Sequence, residues 1–367
     1  MTAFAYYRLP CEQHATYVAQ HVGEPEILSS VAQLNGREGF VIAPFQPSAE
    51  CPVVLIHPDE KKEILLNGGN NSEGGLDENG GQDEKNPDVG LDENGGLKGN
   101  GKSEEKDGYV RDFGCFHGQL QKGEFRKIVL ARRSVQTTRL SAEALFAKAC
   151  RLYPRLFVAL VYTEPSGMWL MATPEVLLNG RAGEYHTMSL AGTQKAPMTS
   201  ACPIRQETEG VEWPLKDQEE QQYVTDYIEA CIRTFSDDYR LQGPYTMTAA
   251  HLYHLRTDIH FRLPSDDVLG DVLEALYPTP AVCGIPKEPA RRFILRHEHE
   301  PRRYYSGFVG MLSPHADTHL FVSLRCMRLL PGGICELYAG GGLLKESEME
   351  KEWRETEAKM QTMMELV

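Results

Sequence analysis

Apolar positions along the chain follow two rhythms, and the change from one to the other marks its elements. VIAPF (41–45), CPVVLIHP (51–58), KIVLARRSV (127–135), LFVALVY (156–162) and MWLMAT (168–173) are short, dense in β-branched or aromatic residues and bounded by turn formers. Such runs predict strands, as do GFVGML (307–312), LFVSLRCM (320–327) and ICELYAG (334–340), with a further strand expected from about Met247. SAEALFAKACRLY (141–153) repeats its apolar residues at helical spacing. Helices are also expected over FHGQLQKGEFRK (116–127), from about Glu212 to Phe235, and over DDVLGDVLEAL (266–276). The last segment, ESEMEKEWRETEAKMQTMMEL (346–366), predicts a helix with Ser347 as its N-cap. Strand pairs are joined by tight links without regular helical crossovers. The expected class is therefore α+β with large antiparallel sheets in place of a doubly wound sheet.

One stretch breaks both rhythms. Residues 66–107 hold eleven acidic and four basic side chains and eleven glycines, with no aromatic, and repeat GLDENGG at 75–81 and 90–96. Too little apolar surface is available there to offset ordering entropy, so a disordered, solvated loop is expected. Its Asp-x-Asn-Gly spacing is not a calcium loop, because the Gly falls too early and the closing Glu is missing. The division is residues 1–65 as an N-terminal part of the sheet system, 66–107 as the loop, and 108–367 as the catalytic region of a single domain.

Composition then removes several classes of function. With 367 residues, 41% of them apolar, the chain can bury a sizeable core. The net charge of −14, half of it in the acidic stretch, speaks against a nucleic-acid partner. No run approaches the roughly 20 apolar residues of a membrane helix, and the start MTAFAYYRLPCEQ lacks a targeting pattern, so a cytoplasmic address is expected. Nine scattered cysteines, never closer than nine positions apart, fit reduced thiols better than disulfides or a paired-ligand zinc site.

Several side chains could carry chemistry. Glu352, Glu355 and Lys359 fall within about 60° on one face of the last helix, where they form either a hard-cation site or a solvated charged face. Lys216 and Glu220 in KDQEEQ are four apart and unaided are a helix surface pair. Arg325, in an apolar strand run, calls for an anion, either a substrate carboxylate or an internal partner; RRYYSG, with Arg302 and Tyr305, raises the same choice. Lys127 heads a strand, where it either snorkels to solvent or is desolvated into a base. Glu175, following a Pro at a strand end, is a candidate general acid. LAGT (190–193) and YAGGGL (338–343) place glycines where backbone N–H groups can approach an anion. The pairs His251/His254 and His297/His299 lack a third ligand at metal spacing.

In order and spacing, KIVLAR, TPE, LAGT, K-D-x-x-E, H-L-x-T, PTPAVCG-x-P, R-x-x-Y-x-G, YAGGG and E-W-x-E-T-E-x-K resemble the chorismate-utilising enzymes over residues 110–367. That group includes isochorismate, salicylate, anthranilate and aminodeoxychorismate synthases. The resemblance implies antiparallel sheets packed face to face and sheathed by helices, a cleft between them, chorismate as substrate and Mg2+ as cofactor. Amine-using members usually carry Gln where Lys127 stands, so water is the implied nucleophile and no amidotransferase subunit is expected. Ala191 in LAGT rules out the lysine adduct of aminodeoxychorismate enzymes, and no tryptophan-binding LLES segment is present. LYPTPAVCGIP resembles the isochorismate synthases more than the salicylate synthases, although Tyr277 stands where the former favour His.

The roles the resemblance implies are Lys127 as general base and Glu175 as general acid. Glu220 and Glu355 would hold magnesium, with Glu352 direct or through water. Arg325 and Tyr305 would grip the pyruvyl carboxylate, Gly192, Thr193 and Gly341 would line the ring carboxylate, Lys359 would balance the glutamates, and His254 would sit near the ring. The product would serve menaquinone or a catechol siderophore. The alternatives are a salicylate synthase and a non-catalytic chorismate-binding protein; the latter would be signalled by loss of Lys127 or Glu175, and neither is lost. QKAPMTSACP after LAGT lacks the arginine common in the family, so any contact made by it is missing.

Overall fold

The computed structural model describes residues 2–66, 101–195, 211–249 and 252–367. The strands are β1 (Ala3–Arg8), β2 (His14–Gln20), β3 (Glu26–Leu28), β4 (Gly39–Ala43), β5 (Val53–Ile56), β6 (Glu60–Leu65), β7 (Lys127–Thr137), β8 (Phe157–Thr163) and β9 (Gly167–Thr173). They continue as β10 (Val176–Arg181), β11 (Glu184–Lys195), β12 (Tyr239–Ala249), β13 (Leu252–Arg262), β14 (Gly284–Ile285), β15 (Phe308–Leu312), β16 (Thr318–Val322), β17 (Cys326–Leu330) and β18 (Ile334–Leu343). The helices are α1 (Gly101–Gln121), α2 (Ala142–Leu152), α3 (Leu215–Ile232), α4 (Leu269–Leu276), α5 (Lys287–His297) and α6 (Met349–Met364).

Among the described residues the strands form two nine-stranded antiparallel sheets. The first runs β14-β7-β18-β17-β9-β8-β1-β2-β6 and the second β12-β13-β11-β10-β16-β15-β4-β5-β3. Strands β8 and β9 are covered on both faces, which is why their sequences are apolar runs without alternation. Edge strand β6, EKKEIL, is mostly exposed, and its charges discourage edge pairing. Residues before 66 extend both sheets, β1 pairing with β8 and β4 with β15.

The sheets meet face to face. Phe157 stacks on Phe321 with centroids 4.1 Å apart and planes 5° apart, and Tyr7 meets Phe40 at 5.5 Å. Helices α3 and α4 cover the outer side of the second sheet through Val224, Ile228, Val272 and Leu273, and α1 and α5 cover the first through Phe116, Ala290 and Ile294. This is the expected α+β class, two antiparallel sheets sheathed by helices. Replacing Phe157 with Ala removes one ring of the inter-sheet stack; urea denaturation should show a loss of about 3–5 kcal/mol. Among the described residues no helix is long and apolar enough to cross a membrane.

Some expected boundaries move. LFVSLRCM is two strands, β16 and β17, in different sheets, with Arg325 between them at φ +47. The strand expected from Met247 starts at Tyr239, and the helix expected over 212–235 is α3. Ser347 does not cap α6; the N-cap is Glu348, and the Ser347 hydroxyl accepts from the Leu344 N–H at 2.9 Å. Residues 67–100, with both GLDENGG copies, lie outside the described residues. The end of the acidic stretch is helical, because α1 buries Tyr109 and Phe116 downstream and its first turns are tied down by Glu105 and Lys106.

Candidate active site

The chain passes from the first sheet to the second between β9 and β10, and returns between β16 and β17. Hydrogen bonds bind the two crossings together, from Val322 N to Glu175 O (2.9 Å) and from Ala172 N to Arg325 O (3.0 Å). Each crossing carries one ionisable residue into a cleft between the sheets with about 670 Å³ of empty space, part of it open to solvent. Glu175 is 2% exposed, and its Oε1 lies 3.4 Å from the Thr279 hydroxyl that donates to it. Burial pushes its carboxyl up to about 7, against the pull of Lys127, Thr279, Lys359 and Arg325.

Arg325 reaches the same cleft. Its Nη1 donates to Ala249 O at 3.2 Å, and its Nη2 lies 2.6 Å from His254 Nε2. His254 Nδ1 is 2.7 Å from Gly192 O, which can only accept, so Nδ1 carries the proton and Nε2 accepts from the arginine. Burial, reinforced by Arg325, holds His254 neutral, and burial brings Arg325 down to about 10. LAGT, expected at a turn, lies within β11 at a break in its register with β13 between Ala191 and Gln194; Gly192 has φ +69 there, and a Cβ would stand 2.9 Å from the Trp213 ring, so only glycine suits it. Thr193 donates to Glu355 Oε1 at 3.3 Å. Tyr305 lines the cleft, stacked on Tyr338 at 5.6 Å.

On β18 side chains alternate, so the three glycines face different neighbours. Gly340 and Gly342 form the cleft wall; a Cβ on Gly342 would run into Glu220 Oε1 and lie 2.7 Å from Lys127 Cε. Gly341, the one expected at the ring carboxylate, is turned toward Glu352 and Glu355, and its Cβ would lie 3.4 Å from Glu352 Oε2.

Three carboxylates from α3 and α6 converge here, each paired with a lysine. Lys127 Nζ is 2.9 Å from Glu220 Oε1, Lys216 Nζ 2.6 Å from Glu352 Oε1, and Lys359 Nζ 2.7 Å from Glu355 Oε1. Lys127 is fully buried, so it does not snorkel, and Glu220 is no surface group. Burial alone would raise Glu220, but Lys127, Lys359 and Lys216 hold it below its ordinary value. Negative charge is nevertheless in surplus. Burial and then Glu220 and Glu355 push Asp217 up to about 6; burial and then Glu355 raise Glu352. Glu352 Oε2 is buried with no hydrogen-bond partner.

A hard divalent cation suits these donors, since all are carboxylate oxygens, one is orphaned, and Gly341 leaves space beside them. Among the described residues no three His, Cys, Asp or Glu side chains already stand at ligating distance from one point. Each glutamate is drawn to its own lysine instead.

Other candidates lie elsewhere. Arg302 is buried against Glu298 at 2.5 Å and is a structural ion pair. His299 pairs with Asp112, and His251 falls outside the described residues. Tyr277 packs edge-on to Phe308 in the core under the second sheet, away from the cleft. Sequence reasoning missed Thr279, Gly340 and Gly342, and it paired Lys216 with Glu220 when its partner is Glu352. The PTPAV and GGG motifs carried the first three signals; nothing local carried the last.

Residues 83–367 match the family model described as chorismate binding enzyme. The chain is 31% identical over 263 residues to isochorismate synthase MenF of Escherichia coli, covering 70% of this chain and 59% of that protein. It is 30% identical over 269 residues to the salicylate biosynthesis isochorismate synthase of Pseudomonas aeruginosa, covering 73% and 56%. The matches thus span less than two thirds of these relatives' lengths. Among solved structures, that of MenF, the menaquinone-specific isochorismate synthase from Escherichia coli, superposes with a TM-score of 0.74 at 22% identity, covering 99% of this chain and 88% of that one.

Proposed function

The chain belongs to the chorismate binding enzymes, and from that premise we propose that it isomerises chorismate to isochorismate. The observation that carries the proposal is a buried carboxyl pushed up to about 7 in the wall of the cleft, with a fully buried lysine paired to the cleft-lining Glu220. Lys127, acting as the free amine after its own proton has left, takes a proton from water as the water oxygen bonds to ring carbon 2. Glu175 gives a proton to the hydroxyl leaving carbon 4, the ring double bonds shift between the two carbons, and no redox change occurs. The Lys127 position also favours water over ammonia, because a base is needed only for the former.

Glu220, Glu355 and Glu352 would hold Mg2+, which when bound neutralises and orients the substrate's ring carboxylate. Arg325 and Tyr305 bind the pyruvyl carboxylate, with the Arg325 guanidinium aimed by neutral His254. Gly192 and Thr193 line the ring-carboxylate side, with Gly341 behind the glutamates, and Lys359 balances Glu355. A dianionic substrate approaching an acidic protein needs such local positive charge. We further propose a cytoplasmic enzyme, consistent with eight described cysteines that are all free, acting without nucleic acid, membrane or amidotransferase partner, in menaquinone or catechol siderophore synthesis.

Incubation with chorismate, with and without Mg2+, followed by chromatography with mass detection, tests the reading. A new species of unchanged mass that needs Mg2+ is expected. Salicylate with pyruvate would replace this reading by a lyase, and no turnover would replace it by a binding protein. The pH dependence has a definite sign. Glu175 must be protonated to act, so kcat/KM should fall as pH rises through about 7, approaching tenfold per unit beyond it. Initial rates across that range check this; a rate still rising above pH 8 would remove Glu175 as the acid.

A further inference from the structure

We propose that Arg132 is a positioning residue for the cation site, setting the rotation of α6 from the side of the sheet away from the cleft. The inference rests on the proposed Mg2+ ligation by α6. Along β7 side chains alternate: Val129 lines the cleft and Lys127, on the same side, pairs with the cleft-lining Glu220, while Ile128, Leu130 and Arg132 face the outer layer under α1. Arg132 is 4% exposed and meets α6 at two points. Its guanidinium lies over the Trp353 ring, 3.9 Å from the centroid, and its Nε donates to Thr356 Oγ1 at 2.7 Å. Trp353 follows Glu352 in sequence, and Thr356 follows Glu355.

The two contacts therefore grip α6 beside both of its proposed ligands. A helix turns by about 100° per residue, so even a small rotation would swing these carboxylates away from Glu220 on α3. The grip is itself braced. Arg132 Nη1 pairs with Glu105 on α1, and Tyr109 packs edge-on to Trp353 at 5.3 Å. Lys106 stands 2.8 Å from Glu350, and the Thr356 hydroxyl donates to Trp353 O at 2.7 Å. One arginine thus ties the strand that begins with Lys127 to the helix that carries Glu352 and Glu355.

The test exploits a sign. Removing a positive charge near a cation site should, by electrostatics alone, tighten cation binding. Removing a positioning residue should weaken it, by about 10- to 100-fold where a metal ligand loses the partner that orients it. Calorimetric titration of the purified full chain with MgCl2 is compared for wild type, Arg132→Met, Arg132→Lys, Thr356→Val and Glu355→Gln, with melting temperatures measured alongside. Arg132→Met is expected to weaken Mg2+ binding at least about tenfold, Arg132→Lys to restore part of it, and Thr356→Val to lose about threefold. Mg2+ affinity that is unchanged or tighter in Arg132→Met, with only the melting temperature lowered, overturns the proposal and leaves Arg132 a purely structural residue. Should Arg132→Met not fold, Thr356→Val decides in the same way. Wild type that binds no Mg2+, or binds it as well after Glu355→Gln, defeats the ligand assignment itself and the Arg132 proposal with it.

Discussion

Lys127→Gln should reduce isochorismate formation by about 10³-fold while leaving the fold intact. The amide retains much of the side chain's length in a site where Gly342 leaves just enough room, so packing around β7 and β18 is kept. It cannot accept a proton at neutral pH, and water attacking carbon 2 then lacks a base. The variant also deprives Glu220 of the lysine that does most to hold its carboxyl ionised. Circular dichroism and the melting temperature establish the fold, and product chromatography gives the rate. Turnover above a few per cent of wild type would show that Lys127 is not the base.

The companion result is expected at Glu175, where rate and stability should move in opposite directions. Glu175→Gln removes the transferable proton and should lower kcat by about 10² to 10⁴-fold. The same change should raise stability at alkaline pH. The folded carboxyl titrates at about 7, above the ordinary value of 4.5, because burial penalises its charge. A folded pKa above the unfolded one favours the native state while the group is protonated in both states, and that advantage is lost as pH rises from about 4.5 through about 7. Gln never ionises and keeps it. Near pH 8 the variant should be more stable by up to about 3 kcal/mol, with little difference near pH 4. Denaturation curves at the two pH values measure this, and equal stability at both would mean that Glu175 is solvated and unfit for the role.

Much of this site was legible in one dimension, for a physical reason. Glu352, Glu355 and Lys359 share a helix face because helical geometry is local, and a run such as LFVALVY reads as a strand buried on both sides whatever lies around it. Gly192 could be suspected from the LAGT motif, since a positive φ favours glycine wherever it occurs, although it sits at a break in the register of β11 and not at a turn. The proposed chemistry came from the order and spacing of the motifs, which resemble those of the chorismate-utilising enzymes.

The rest depended on contacts between distant segments. LFVSLRCM looks like one strand, but the chain leaves one sheet and joins the other within it, and that break is what turns Arg325 into the cleft. Lys216 lies four residues from Glu220, yet it pairs with Glu352, 136 residues away, because α3 and α6 converge at the same end of the sandwich. Which of three consecutive glycines faces the cleft is a matter of strand register, set by pairing with β7, and composition is silent on it. By itself the sequence determined the elements, the class of fold and the kinds of group available for catalysis, since these follow from local geometry and side-chain chemistry. Only the tertiary structure decided which charge neutralises which, and how far burial moves Glu175, because both depend on distance and solvent exclusion among residues that the chain keeps far apart.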